Sequence, residues 1–182
     1  MQPTESALIV PVPDAEDAVG PFRASLDRSA AWGVPAHVTV LYPFLPPEKI
    51  NGEVLVALAD IISSVGRFDV AFTHVDWFDD TVAWLAPRPG RPFRDLTTAV
   101  WRRFPEAPPY GGAHADVVPH LTIGDNAEKD VLRHAAHAVS THLPINATIS
   151  VVRLIAGTPG HHPWPTLREF PLGPDRPAER RS

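Results

Sequence analysis

Short apolar runs alternate with longer amphipathic stretches along the whole chain. Runs of period two, rich in β-branched and aromatic residues, predict strands. Apolar positions that recur every three to four residues predict helices. The predicted strands cover residues 7–12, 37–44, 67–78, 81–86, 117–124, 145–156 and 166–172. The predicted helices cover residues 14–31, 51–65, 93–104 and 126–142.

The order of these elements is β-α-β-α-β-β-α-β-α-β-β, in which hairpins mix with helical crossovers. This order predicts an α+β fold with mainly antiparallel sheets flanked by helices. The length of 182 residues fits one domain over residues 1–173. The polar, Pro- and Arg-containing end, residues 174–182, is expected to be a disordered tail.

The composition of the chain argues against several classes of protein and of functional site. A net charge of −5 argues against a protein that coats long nucleic acid by charge alone, although a local basic pocket stays open. The chain has no cysteine, which excludes disulfide scaffolds, thiolate zinc sites and cysteine nucleophiles. No apolar run approaches the ~20 residues that span a bilayer. No signal peptide is visible, so we expect a cytoplasmic protein without a membrane partner.

Two segments of the chain repeat one pattern, His-aliphatic-Thr-aliphatic. They are His37-Val-Thr39-Val and His120-Leu-Thr122-Ile, and both fall in predicted strands. Side chains alternate between the two faces of a strand, so each histidine shares a face with its threonine while the aliphatic residues face a core. The alternative is that each strand carries a half-buried histidine with a purely structural hydrogen bond.

Paired histidines and threonines suit chemistry at a phosphodiester. Histidine titrates near neutral pH, so of two imidazoles facing one pocket, one can accept a proton while the other donates one. Threonine hydroxyls can donate hydrogen bonds to phosphate oxygens without adding charge. Such a site requires neither a metal nor a cofactor.

The paired motifs resemble those of the two-histidine (2H) phosphoesterase superfamily, which includes the bacterial RNA 2′,5′-ligases, also called RNA 2′,3′-cyclic phosphodiesterases. Residues 35–44, 108–112, 119–124 and 170–173 add to the likeness, which extends over most of residues 7–173. The resemblance implies a bilobal fold with one motif in each lobe and a central cleft.

By the same resemblance, His37 and His120 form the general acid/base pair, and Thr39 and Thr122 bind the phosphate. It leaves open which histidine is the acid. The implied reaction is hydrolysis of 2′,3′-cyclic phosphates, or cleavage and joining of 2′,5′-linkages, on nucleotides or RNA 3′ ends. The alternatives from other classes are a module of the same fold that binds nucleotides or RNA ends without turnover, and a purely structural domain.

Further residues are candidates for substrate binding. Tyr110 and Trp164 could each stack on a base, or could simply be packed in the core. Arg153 could supply positive charge to the phosphate, or be a solvated edge residue. Tyr42 has odd spacing from His37 and would face the opposite side unless a bulge or the end of the strand intervened. The sequence shows no oligomerisation device, so we expect a monomer.

Overall fold

The computed structural model describes residues 2–113 and 116–175. From residue 176 onward, the predicted tail lies outside this range, so its disorder stays a prediction.

Within the described residues the chain forms eight strands and five α-helices, besides three short 3₁₀-helices. The strands are β1 (Glu5–Pro11), β2 (His37–Leu41), β3 (Phe68–Phe78), β4 (Val82–Arg88), β5 (Leu121–Gly124), β6 (Ile145–Ile149), β7 (Val151–Gly157) and β8 (Thr166–Pro171). The helices are α1 (Glu16–Leu26), α2 (Arg28–Ala31), α3 (Gly52–Ser63), α4 (Arg91–Arg103) and α5 (Lys129–Ser140). None of these helices is both long and apolar enough to cross a membrane.

All eight strands join one curled sheet in the order β6-β3-β4-β5-β2-β1-β7-β8, and every neighbouring pair is antiparallel. Gly66, just before β3, bridges to Gly173, just after β8, so the two halves curve toward each other. The α+β prediction with antiparallel pairing is confirmed.

The sheet consists of two lobes of four strands, β6-β3-β4-β5 and β2-β1-β7-β8. Each lobe contains a similar unit, in which a strand is followed by helical sequence and then by a motif strand: β1, α1, α2 and β2 in one lobe, and β4, α4 and β5 in the other. The motif strands β2 and β5 are the inner strands and pair with each other. The bilobal arrangement therefore places the two repeated motifs side by side.

The helices cover one face of the sheet and leave the other to the polar motif residues. Val38 of β2 and Leu121 of β5 are fully buried in the same core as Leu58, Phe93 and Leu96 from α3 and α4. Burial of each such side chain contributes roughly 1.5–3 kcal/mol. This burial holds the strands in the one orientation that turns the histidines and threonines away from the helices.

Two predicted elements are each divided in the structure. The helix predicted over residues 14–31 ends at Leu26, and Asp27 then begins α2 by accepting a hydrogen bond from the Ser29 backbone N–H at 2.8 Å. The strand predicted over residues 145–156 breaks at Ser150 into β6 and β7, which lie in opposite lobes. No glycine or proline marks either break.

Candidate active site

The register between β2 and β5 brings the four motif side chains together. Val38 lies opposite Leu121. One residue to either side, this register sets His37 opposite Thr122 and sets Thr39 opposite His120. Since these four residues flank the buried pair, their side chains point to the face away from the helices. The four side chains form a square, with the two histidines at diagonal corners. Diagonal positions on paired strands are about 7–8 Å apart, so both imidazoles can reach one phosphate-sized group.

Both imidazole rings are oriented by the same backbone hydrogen bond. His37 Nδ1 lies 2.7 Å from the Pro35 carbonyl oxygen, and His120 Nδ1 lies 2.8 Å from that of Val118. A carbonyl oxygen only accepts, so each Nδ1 carries the proton. In the neutral ring Nε2 then carries the lone pair and is the nitrogen left to accept or donate a proton at a ligand.

Burial keeps both imidazoles neutral at pH 7. It lowers the pKa of His37 to about 4, and the nearby Arg23 guanidinium adds to this shift. Burial also lowers the pKa of His120, against a smaller opposing effect of the hydrogen bond to Val118. A bound phosphate anion would raise both pKa values, because a nearby negative charge favours the imidazolium form.

A buried ion pair supports the segment that leads into His37. Arg23 is only 3% exposed and pairs with Asp27 at 2.8 Å. Its guanidinium also donates to the Ser29 hydroxyl and to the Val34 carbonyl oxygen, both at 3.2 Å. Sequence reasoning missed this pair, although its i,i+4 spacing on an otherwise apolar helix face was a usable signal.

His120 packs against two aromatic side chains that the sequence analysis did not single out. The Phe78 ring centroid lies 4.9 Å from the His120 ring at 89°, and that of Trp84 lies at 5.8 Å. Trp84 lies opposite Thr122 in the sheet and therefore shares its face. The two aromatic rings also stack on each other at 4.8 Å. The indole Nε1 of Trp84 is buried without a hydrogen-bond partner among the described residues.

A cavity of about 570 Å³ opens beside His120. Its lining residues are Trp77, Phe78, Asp79, Val82, Tyr110, Asp116, Val118, His120, Thr122 and Asp125. Tyr110, a predicted binding residue, thus lies in a wall of the same cavity as His120 and Thr122. Burial raises the pKa of the Tyr110 phenol, which keeps it protonated. Its backbone N–H donates to the Tyr42 carbonyl oxygen at 2.7 Å, which ties the loop to the end of β2.

Trp164 lies in a packed cluster and not in the wall of this cavity. It is only 5% exposed and stacks on Trp32 with ring centroids 5.5 Å apart. Its indole Nε1 donates to the Thr158 carbonyl oxygen at 3.2 Å. This arrangement favours the packing alternative for Trp164 over the base-stacking one.

A β-bulge turns Tyr42 toward the face of the motif residues. Leu8 pairs with Leu41 while Ile9 pairs with Thr39, so Val40 is the additional residue in β2. Beyond the bulge, Tyr42 packs edge-on against Trp164 at 6.3 Å and donates its hydroxyl proton to Glu5 at 2.5 Å. The odd spacing from His37 therefore does not send Tyr42 into the helical core.

Arg153 shares the face of Thr39 but is two strands away. It pairs with Ile9 in β1, which in turn pairs with Thr39, a separation of about 10 Å across the sheet. Its guanidinium donates to the Glu169 carboxylate at 2.7 Å. The structure therefore does not bring Arg153 into the square of motif side chains.

The described side chains offer no donor set for a metal. Among residues 2–113 and 116–175, no three His, Asp or Glu side chains converge in a way that could hold a metal ion. The motif histidines are each paired with a threonine instead of a carboxylate.

Comparisons with known proteins agree with this fold. The sequence pattern of the 2′-5′ RNA ligase superfamily matches residues 11–159. The crystal structure of E. coli LigT complexed with 3′-AMP aligns with a TM-score of 0.62 at 17% identity, covering 94% of this chain and 99% of LigT. The crystal structure of TT0787 from Thermus thermophilus aligns with a TM-score of 0.55 at 15% identity, covering 94% and 100%. No curated protein matches the sequence.

Proposed function

Because the chain belongs to the 2′-5′ RNA ligase superfamily of two-histidine phosphoesterases, we propose that it is a metal-independent phosphodiesterase. Its reaction is hydrolysis of nucleotide 2′,3′-cyclic phosphates, or cleavage and joining of 2′,5′-linkages. One observation carries the proposal: two His-x-Thr units lie on adjacent central strands, with the imidazoles on diagonal corners and each Nδ1 bound to a backbone carbonyl.

In hydrolysis, the hydroxyls of Thr39 and Thr122 donate to the non-bridging phosphate oxygens. The Nε2 of one neutral imidazole accepts a proton from a water molecule as its oxygen attacks phosphorus. The Nε2 of the other, protonated imidazole donates its proton to the departing 3′ oxygen of the ribose. The P–O3′ bond breaks, and the product is a 2′-phosphate with a free 3′ hydroxyl.

The diagonal placement of the imidazoles supports in-line attack, because it puts the proton acceptor and the proton donor on opposite sides of the phosphorus atom. The lowered pKa values mean that the resting site holds little positive charge. A bound phosphate anion then favours protonation of one imidazole, which supplies the proton that the leaving group requires. Each positioned proton transfer typically contributes 10²–10⁴-fold in rate.

The cavity beside His120 supports nucleotide binding. Its volume of about 570 Å³ lies within the usual range for small-molecule sites. Tyr110 in its wall offers a ring on which a base could stack, an interaction worth about 1–3 kcal/mol. E. coli LigT, which has the same fold, has been crystallised with 3′-AMP and with NADP+.

The test is an assay of purified protein on nucleoside 2′,3′-cyclic phosphates and 2′,5′-linked dinucleotides in the presence of EDTA. We expect turnover by the wild type and a loss of 10²–10⁴-fold in kcat in both His37→Gln and His120→Gln. His137→Gln, on an exposed position of α5, is the matched control and keeps wild-type turnover.

Two results would contradict the proposal. Nucleotide binding by the wild type without any product would identify a binding module of the same fold. Full activity in both motif variants would show that the two imidazoles take no part in the reaction.

A further inference from the structure

The described lining of the cavity beside His120 is acidic. Three aspartates line it, Asp79, Asp116 and Asp125, and among the described residues no lysine or arginine does. Asp125 forms an ion pair with Arg28 at 3.1 Å. Asp79 and Asp116 form no ion pair with any described residue, so their negative charges act on whatever enters the cavity.

Two cations next to the cavity lining are already paired with carboxylates. Arg28 pairs with the lining residue Asp125, and Lys129 pairs with Asp80, the neighbour of Asp79. A protein that holds a nucleic acid strand usually does so with lysines and arginines placed along the phosphates. The described lining of this cavity therefore offers no lysine or arginine to a second phosphate group.

The rest of the cavity suits an uncharged ligand part. Trp77, Phe78 and Tyr110 supply aromatic walls, and Val82 and Val118 supply apolar ones. Aspartate carboxylates accept hydrogen bonds from sugar hydroxyls and from base amino groups, whereas they repel a phosphate. The cavity thus combines contacts that favour a nucleoside with charges that disfavour further phosphates.

We propose that Asp79 and Asp116 make the site selective for nucleoside cyclic phosphates that carry only the reacting phosphate, over 5′-phosphorylated nucleotides and RNA 3′ ends. This inference rests on the proposed function of the same site. The selection acts through repulsion between like charges, a device that lowers the affinity for the wrong ligand without a new contact to the right one.

The experiment compares kcat/KM for adenosine 2′,3′-cyclic phosphate with kcat/KM for the same compound carrying a 5′-phosphate, and with a short RNA that ends in a cyclic phosphate. For the wild type we expect a preference of roughly tenfold or more for the 5′-hydroxyl compound. That preference should shrink as salt rises from low to about 0.5 M, since salt screens exposed charges.

The variants are Asp79→Asn, Asp116→Asn and the double variant. Asp79 has a φ of 49° in the β3–β4 turn, a conformation that asparagine also tolerates, so this variant keeps the turn. We expect the double variant to raise kcat/KM for the 5′-phosphorylated compound about tenfold, while the 5′-hydroxyl compound changes less than about twofold. Asp95→Asn, which makes the same charge change as each single variant but on α4 outside this cavity, leaves the preference unaltered.

Equal kcat/KM for the two nucleotides in the wild type would overturn the inference, as would a double variant that behaves like Asp95→Asn. If the wild type turned over no cyclic phosphate, the proposed reaction would fail separately from the selectivity. Calorimetry with adenosine 2′-phosphate and adenosine 2′,5′-bisphosphate then decides the selectivity. Tighter binding of the monophosphate, lost in the double variant, supports it, and equal or weaker binding refutes it.

Discussion

The two lobes share a backbone plan but differ in what surrounds their motif histidines. In both, the imidazole Nδ1 donates to the carbonyl two residues earlier. Close to His37 lie the buried Arg23 and, on the same side of the sheet, the packed pair of Trp32 and Trp164. Beside His120 lies an open cavity. In the proposed mechanism the shared plan positions the two proton-transfer groups, and the open cavity leaves room for the organic part of a ligand on the side of His120.

The largest expected effect is on the pH dependence of kcat/KM, which distinguishes the roles of the two imidazoles. Both pKa values lie below the usual 6.5, so kcat/KM for the wild type should peak below pH 6.5 and fall roughly tenfold per pH unit above the higher pKa. The profile is bell-shaped because one ring must be neutral and the other charged. His37→Gln and His120→Gln, besides losing rate, should each retain one limb of the bell, and the two variants should retain opposite limbs.

The limb of the pH profile that each variant retains shows which histidine is the proton donor and which is the acceptor. A variant whose residual rate falls only with rising pH keeps the proton donor, and one whose rate falls only with falling pH keeps the acceptor. Identical residual profiles in both variants would mean that the lobes do not divide the proton transfers between them.

The next effect is on stability and separates the packed lobe from the open one. Trp164→Ala should lower the free energy of unfolding by about 3–5 kcal/mol, because a buried ring leaves a void. Phe78→Ala, on the cavity side, should cost less stability and should raise KM instead. Urea unfolding and steady-state kinetics on the same preparations measure both. The comparison breaks down if Phe78→Ala proves the more destabilising of the two.

A smaller effect tests whether the threonines act alike in both lobes. Thr39→Val and Thr122→Val keep the shape of the side chain and the strand preference but remove the hydroxyl donor. A hydrogen bond to a charged group is worth about 1.5–3 kcal/mol, so kcat/KM should fall by roughly 10- to 100-fold in each. Wild-type kinetics in either variant would remove that threonine from the phosphate site.

The smallest effect concerns Arg153. Its charge is paired with Glu169 and lies two strands from Thr39. Arg153→Gln should therefore change kcat/KM less than about threefold and stability by less than about 1 kcal/mol, as for other surface ion pairs. A loss of tenfold or more would return Arg153 to the group of phosphate-binding residues.

The sequence was sufficient to predict features that depend on the alternation of side chains within one strand. The His-x-Thr spacing put each histidine with its threonine on one face, and the apolar residues between them are in the core. The α+β order of elements followed from periodicity and turn residues. Alternation also predicted that Tyr42 would reach the motif face only through a bulge or at the end of the strand, and the structure has a bulge at Val40.

What the sequence did not reveal depends on contacts between distant segments. Phe78 and Trp84 come from the β3–β4 hairpin, and only the pairing of β4 with β5 brings them to His120. The break at Ser150 sends β6 and β7 to opposite lobes without a glycine or proline to mark it. The burial of Arg23 depends on its partner Asp27 and on the Val34 carbonyl, which a single-helix interpretation of residues 14–31 left out.

The hydrogen bonds that the two imidazoles donate to the Pro35 and Val118 carbonyl oxygens bear on the direction of the proposed reaction. In Ser-His-Asp triads a carboxylate orients the imidazole and stabilises its charged form. Here an uncharged peptide oxygen orients each ring. The hydrogen-bond partner therefore adds no negative charge that would favour the imidazolium form of either histidine. Under the proposed mechanism, the donor and the acceptor have exchanged states after one turnover. The arrangement would then serve the reverse reaction, in which a phosphodiester bond is made, as well as the forward one.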